Sequence, residues 1–105
     1  MNQVGALAFA LREMCSDRYK EYAAQIVANA RVFAETFMEK GYKMVSDGTD
    51  NHLILMDVKS SGLTGSKAEK ILERVFIFAN KNSIVGDKSP MNPGGLRIGT
   101  PAITT

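Results

Sequence analysis

The chain has 105 residues, enough for one domain with one modest core. Its 13 basic and 11 acidic side chains leave a formal charge of +2, and the lysines are scattered, which argues against a nucleic-acid surface. No apolar run approaches membrane-spanning length, and Met1-Asn2-Gln3-Val4 lacks the charged region of a signal peptide. Cys15 is the one cysteine, so no internal disulfide forms and a reducing compartment is expected. It falls at a helix end without an obvious base, and its thiol reads as inert.

Val4, Leu7, Ala8, Leu11 and Met14 recur at helical spacing and predict a helix over residues 3–14. Ser16 and Asp17 interrupt it and can cap a second helix. Tyr19, Tyr22, Ala23, Ile26, Val27, Ala30, Phe33, Ala34, Phe37 and Met38 sustain the same period along that helix. Gly41 is expected to stop it in a left-handed conformation. The aromatic and methionine stripe reads as core rather than as a ligand box.

Residues 42–46 read as a short strand, and Asp47-Gly48-Thr49-Asp50 as a turn. Residues 52–59 predict a strand with Leu53 and Leu55 on one face and Ile54, Met56 and Val58 on the other. Apolar residues on both faces suggest a central, covered strand. Ser60-Ser61-Gly62 turns the chain. Ser66 and Glu69 have capping-box spacing, with Thr64 an alternative cap. Ala68, Ile71, Leu72, Val75 and Phe76 form the stripe of a third helix ending near Phe78. These elements predict an α+β fold: a small two-layer domain with helices packed on a short, largely antiparallel sheet.

A long segment rich in Gly, Pro and Asn begins at Asn80, is expected to be mobile from about Lys81 to Gly94, and leads into Leu96-Arg97-Ile98. Strand alternation sends Arg97 to the face opposite Leu96 and Ile98. Behind the glycine pair Gly94-Gly95, its planar fork could meet a carboxylate or phosphate without side chains in the way. The plainer alternative is a solvated or salt-bridged surface arginine.

Other apparent motifs fail. In Gly62-Leu63-Thr64-Gly65-Ser66-Lys67 the glycines are too close for a phosphate loop, and a turn with a helix cap explains them. Asp47, Asp50 and His52 match no metal-site spacing, so no metal is expected. His52 reads as a structural hydrogen-bonder. No nucleophile stands with a base and an orienting group.

Asn80-Lys81-Asn82-Ser83, Lys88-Ser89-Pro90 and Gly95-Leu96-Arg97-Ile98-Gly99-Thr100-Pro101-Ala102-Ile103-Thr104 occur in order. They are preceded by Gly48-Thr49-Asp50-Asn51-His52-Leu53, Asp57 and Gly62-Leu63-Thr64-Gly65. Together they resemble the C-terminal region of serine hydroxymethyltransferase, also called glycine hydroxymethyltransferase, over essentially the whole chain. The resemblance implies the C-terminal small domain of a fold-type I pyridoxal-phosphate enzyme. Residues 1–15 would be a helix linking from a large domain, and residues 16–105 the small domain, truncated at its C-terminus.

The resemblance further implies an enzyme that interconverts serine and glycine, with pyridoxal 5'-phosphate as cofactor and tetrahydrofolate as co-substrate. The lysine that holds the cofactor lies in the family's large domain, so no catalytic residue is carried over and the fragment alone is expected to be inactive. Arg97 matches the arginine that binds the substrate carboxylate. Asn82 matches a position that contacts folate, with bonding to its own loop backbone as the alternative. Met91 falls where some members carry an aromatic near folate, and keeps apolar contact without ring stacking. A homo-oligomer is implied, with neither nucleic acid nor membrane as partner. The cytoplasm is the expected compartment; relatives also occupy mitochondria and plastids. The reading from another class is a non-catalytic α+β interaction module derived from the same fold.

Overall fold

The computed structural model describes residues 1–105. Ser16 separates the first two helices, α1 (Asn2–Met14) and α2 (Asp17–Glu39). Its backbone is extended, and its hydroxyl accepts a hydrogen bond from the Tyr19 N–H at 3.2 Å, satisfying a donor that the helix start leaves free. Along α2, Ile26, Ala30 and Ala34 are buried at intervals of one helical turn, with Phe33, Phe37 and Met38 beside them. Gly41 ends the helix at φ +87°, as expected. The Gly41 N–H donates to the Met38 carbonyl and the Tyr42 N–H to that of Phe37, both at 3.0 Å. The Phe37 and Tyr42 rings meet edge-on at 5.6 Å, the apolar contact that accompanies this helix ending.

The sheet has four strands: β1 (Lys43–Met44), β2 (Leu53–Asp57), β3 (Asn80–Asn82) and β4 (Gly95–Gly99). They are antiparallel throughout, in the order β1-β2-β4-β3. The register sets Ile54 opposite Ile98, and Met56 opposite both Leu96 and Met44. This face meets α2 and a third helix, α3 (Gly65–Glu73), so that Ala34, Met44, Ile54, Met56, Val58, Ala68, Ala79 and Leu96 make the core. The other face has no helix on it. Leu53 and Leu55 are only half-buried there, so the expectation of a strand covered on both sides holds for its core face alone. The two-layer α+β architecture is as expected.

Several boundaries differ from the sequence reading. The first strand is two residues long, because Asp47, at φ +54°, turns the chain away after Val45. The cap of α3 is Thr64, whose hydroxyl accepts from the Lys67 N–H at 3.3 Å. The Ser66–Glu69 capping box does not form; Glu69 instead reaches β3, accepting from the Lys81 N–H at 3.4 Å and pairing with its ammonium at 3.7 Å. The third helix stops at Glu73, not near Phe78. Val75, Phe76, Ile77 and Phe78 are β-branched or aromatic and poor helix formers in a row. The chain reverses through Phe76 at φ +62°, with the Ile77 N–H returning to the Leu72 carbonyl at 2.9 Å. Val75 and Phe76 therefore leave the core stripe and stand exposed with Ile77 and Phe78.

The segment expected to be an unstructured loop begins as a strand. Asn80, Lys81 and Asn82 pair with Arg97, Leu96 and Gly95. A short final helix, α4 (Pro101–Thr104), also lay outside the predicted elements. The buried Thr100 hydroxyl donates to the Ile26 carbonyl at 2.9 Å, and the Tyr22 hydroxyl donates to that of Pro101 at 2.9 Å. The end of β4 is thus fastened to α2. By contrast α1 buries no residue, and Val4, Leu7, Phe9, Leu11 and Met14 are exposed. No helix is long and apolar enough to cross a membrane.

Candidate functional site

Strand alternation puts Arg97 on the helix-free face, between Leu55 of β2 and Asn80 of β3. Gly95 and Gly99 flank it two residues either way on the same face, and Asn82 stands opposite Gly95. Leu96 and Ile98 anchor the strand from below: Leu96 is 2% exposed and packed in the core. The backbone that carries Arg97 is therefore held on both sides by strands and beneath by apolar packing, while its side chain is exposed.

A cleft of about 680 Å³ lies at this end of the sheet. Beyond Val45 the chain leaves β2, so the edge of β2 near Leu53 is unpaired and the cleft reaches around it. Leu53, Leu55, Arg97 and Asn82 line it from the open face, Arg31, Glu35 and Met38 from α2, and residues 46–51 from the intervening turn. That turn is locked by its own side chains. The Asn51 carboxamide oxygen accepts from the Leu53 N–H at 2.8 Å, and the Thr49 hydroxyl donates to the Leu53 carbonyl. The Gly48-to-Leu53 motif is thereby a shaped wall of the cleft.

Arg97 has no partner of its own. The chain's ion pairs are Lys20–Asp17, Lys43–Asp57, Lys59–Asp87 and Lys81–Glu69. Glu35, Asp47 and Asp50 share the cleft, yet none comes within 4.0 Å of the guanidinium. The salt-bridged alternative for Arg97 is therefore removed. What remains is a planar, permanently charged fork with its donors free, on a rigid strand beside a cleft.

The glycine pair before it serves a different purpose from the one the sequence suggested. A Cβ on Gly95 would fall 2.3 Å from the Ile84 side chain and 2.8 Å from the Asn82 carbonyl. One on Gly94 would fall 2.8 Å from Asp87 and 3.1 Å from Lys59. These glycines make room for the chain's own returning segment, and the approach to Arg97 lies on its other side.

Asn82 shares the cleft with Arg97, as a common site requires. One side-chain N–H donates to the Ser83 carbonyl at 2.9 Å, the loop-backbone bond weighed as the alternative for this residue, while its second N–H and its carboxamide oxygen have no partner in the chain. Met91 is 89% exposed in the turn beyond and does not line the cleft, so the structure does not bring it together with the other two. His52 is exposed; its carbonyl accepts from the Thr100 N–H at 3.1 Å, and its ring lines a separate shallow surface beside α2.

Sequence reasoning missed Asp87. Its side chain is 6% exposed, and one carboxylate oxygen accepts from the N–H groups of Ile84 and Gly94, both at 2.9 Å. The other lies 3.6 Å from the Lys59 ammonium. The Ile84 and Gly94 hydrogen bonds, then the Lys59 charge, hold its pKa below the usual carboxylate value against the opposing effect of burial. The Gly86-Asp87 pair was the available signal, since such pairs mark tight turns, and the structure puts Gly86 at φ +92°.

Comparison with known proteins identifies the family. A family model described as serine hydroxymethyltransferase matches residues 1–105. A probable cytosolic serine hydroxymethyltransferase of Schizosaccharomyces pombe is 51% identical over 102 residues, covering 97% of this chain and 22% of the relative. Serine hydroxymethyltransferase 5 of Arabidopsis thaliana is 51% identical over 104 residues, 99% of the chain and 22% of its own length. The cytosolic enzyme of Oryctolagus cuniculus is 48% identical over 102 residues, 97% of the chain and 21% of its own length. The chain thus spans about a fifth of these relatives. With every motif of the cleft inside the matched region, the chain belongs to the serine hydroxymethyltransferase family.

Proposed function

We propose that the protein carrying this chain interconverts serine and glycine, passing the one-carbon unit to tetrahydrofolate with pyridoxal 5'-phosphate as cofactor, and that Arg97 binds the amino-acid carboxylate. Family membership supports the activity. The observation that carries the assignment of Arg97 is its free guanidinium beside the cleft, on a strand held from three sides. Its role is orientation: two parallel N–H donors fix the carboxylate and hence the direction of the bond to be broken. It moves no proton, because an arginine stays charged throughout.

Asn82 offers its carboxamide to the edge of the folate ring system two residues along the same face. Met91 contributes at most apolar contact from the turn beyond. The residues of this chain do not themselves fit the cofactor. No lysine and no aromatic ring lines the cleft, so nothing here would tether or stack on a pyridine ring. We assign those contacts, and the cofactor's electron-withdrawing chemistry, to residues outside 1–105. The exposed apolar side of α1 supports its expected place as a connection to such residues, and the intact protein is expected to be a homo-oligomer.

The test is kinetic and uses the full-length protein. Arg97→Ala is expected to lose at least about 2 kcal/mol of transition-state stabilisation for serine, with Arg97→Lys failing to restore it, because a point charge cannot replace a fork. Near-wild-type kinetics would return Arg97 to a solvated surface residue. The pure 105-residue chain should show no turnover; measurable turnover would sink the division of labour.

A further inference from the structure

Residues 83–94 leave β3 directly after Asn82 and re-enter the sheet at Gly95, two positions before Arg97. Both ends of this excursion meet on Asp87. The Ile84 N–H, just past β3, and the Gly94 N–H, just before β4, donate to the same carboxylate oxygen. Lys59 joins from the turn after β2 at 3.6 Å, and the N–H groups of Val58 and Lys59 donate to the Gly94 carbonyl at 3.1 Å. The Pro93 carbonyl accepts from the Gly65 N–H at 2.8 Å. With the loop closed in this way, Ile84 lies in the space that the absent side chain of Gly95 leaves, next to Leu55. Ile84 is thus a half-buried apolar side chain over Gly95, bordering the cleft that Asn82 and Arg97 line without forming part of its wall.

We propose that Asp87 is a positioning residue: by clasping both ends of residues 83–94 it fixes Asn82 and Ile84 against β4, as the ledge on which a flat heterocyclic co-substrate is seated beside Arg97. This rests on the reading of Asn82 as a folate contact. A fused, planar ring needs one polar edge contact to set its direction and one apolar surface to lie on. Asn82 supplies the first and Ile84 the second. Asn82 ends β3 and is paired to Gly95, so separation of the loop ends frays its edge of the ladder, while Ile84, beyond the strand, loses its seat outright. Arg97 keeps its place, because its strand is paired to β2 independently of the loop. Loss of the clasp should therefore separate the two substrates: recognition of the heterocycle fails and recognition of the amino acid survives.

In the full-length protein, Asp87→Ala is expected to raise the KM for tetrahydrofolate roughly tenfold while the KM for serine moves by less than about twofold. Asp87→Asn keeps an oxygen acceptor without the charge and should fall between. Amide exchange at Ile84 and Gly94 should quicken in the same order, with β2 unchanged. Ile84→Ala leaves the clasp in place and should raise the folate KM without quickening exchange at Gly94. Faster exchange with an unmoved folate KM would overturn the proposal and leave Asp87 a structural staple, as would equal rises in both KM values. Should Asp87→Ala fail to fold, an unmoved folate KM in Ile84→Ala overturns it. Absence of serine and tetrahydrofolate turnover in the wild-type protein would overturn this and the functional reading together; normal wild-type kinetics with unmoved variants overturn this one alone.

Discussion

Ile54 and Leu55 are neighbours in β2, and their side chains end in different worlds. Ile54 is on the face that meets α2, is 2% exposed, and belongs to the core with Met44, Ala34 and Leu96. Leu55 points the other way, half-covered, toward Arg97 across the ladder. The same alternation divides β4 into Leu96 and Ile98 below and Arg97 above. One face of the sheet thus holds the domain together, and the other carries Arg97 and Asn82 to the cleft. A single strand can serve both ends because its period of two keeps packing and recognition on opposite sides.

The division can be broken at its strongest point. Ile54→Ala removes packing from a closed core and should cost about 2–5 kcal/mol. Leu55→Ala, one residue away on the open face, should cost well under half as much, because part of its surface meets solvent already. Local unfolding free energies from amide exchange along β2 and β4 measure both in the intact protein. Equal costs would mean that the upper face is covered in the whole protein by residues beyond this chain.

A smaller effect is expected where the two faces depend on each other. Gly95→Ala places a Cβ 2.8 Å from the Asn82 carbonyl and closer still to Ile84. The side chain can move aside; the carbonyl can retreat only by loosening the β3–β4 pairing. The expected cost is about 1–3 kcal/mol, read as faster exchange in β3 while β2 is unchanged. No effect would mean that the loop yields freely and that Asn82 is not held by it.

Arg97→Ala should scarcely register on the same scale. Its side chain is exposed and has no ion pair to lose, so stability should stay within about 0.5 kcal/mol. A large destabilisation would make Arg97 a structural residue and undo the contrast with Ile54. A silent stability measurement beside the kinetic loss expected for serine is the sharpest form of the comparison.

What could be read before the structure was periodic or capped. The stripe from Tyr19 to Met38, the stop at Gly41, the two-sided pattern of β2 and the isolated Arg97 each carry their signal in a few adjacent residues. What could not be read depends on contacts distant in sequence. Asn80-Lys81-Asn82 has no apolar alternation and becomes a strand only because β4 presents an unpaired edge to it. The apolar run from Val75 to Phe78 looks helical by hydrophobicity, but nothing in the fold covers it, and the chain reverses at Phe76. The motifs singled out Arg97 and Asn82, and the structure sets both in one cleft. The purpose of Gly94 and Gly95 was not legible, because it lies in Ile84 and Asp87 returning from another part of the loop.

Asp87 makes the last expectation one of pH rather than of substitution alone. Its charged form is favoured in the folded chain by the Ile84 and Gly94 N–H groups and then by Lys59, so its folded pKa is depressed below the unfolded value of about 3.9. Linkage gives the sign: the stabilisation is present in full above the unfolded pKa and is lost as the pH falls through the folded one. Lys59 is the charged side chain that faces this carboxylate, at 3.6 Å. The advantage of the wild type over Asp87→Asn, seen as slower exchange at Gly94 after correction for intrinsic rates, should be constant from neutral pH to about 5 and shrink below about 4. An advantage that shrank near neutrality would point to a histidine, and His52 lies at the far end of β2 from the clasp. No advantage over Asp87→Asn at any pH would show that the shape of the side chain closes the loop and that its charge does not, so the ion pair with Lys59 would be incidental to holding Asn82 beside Arg97.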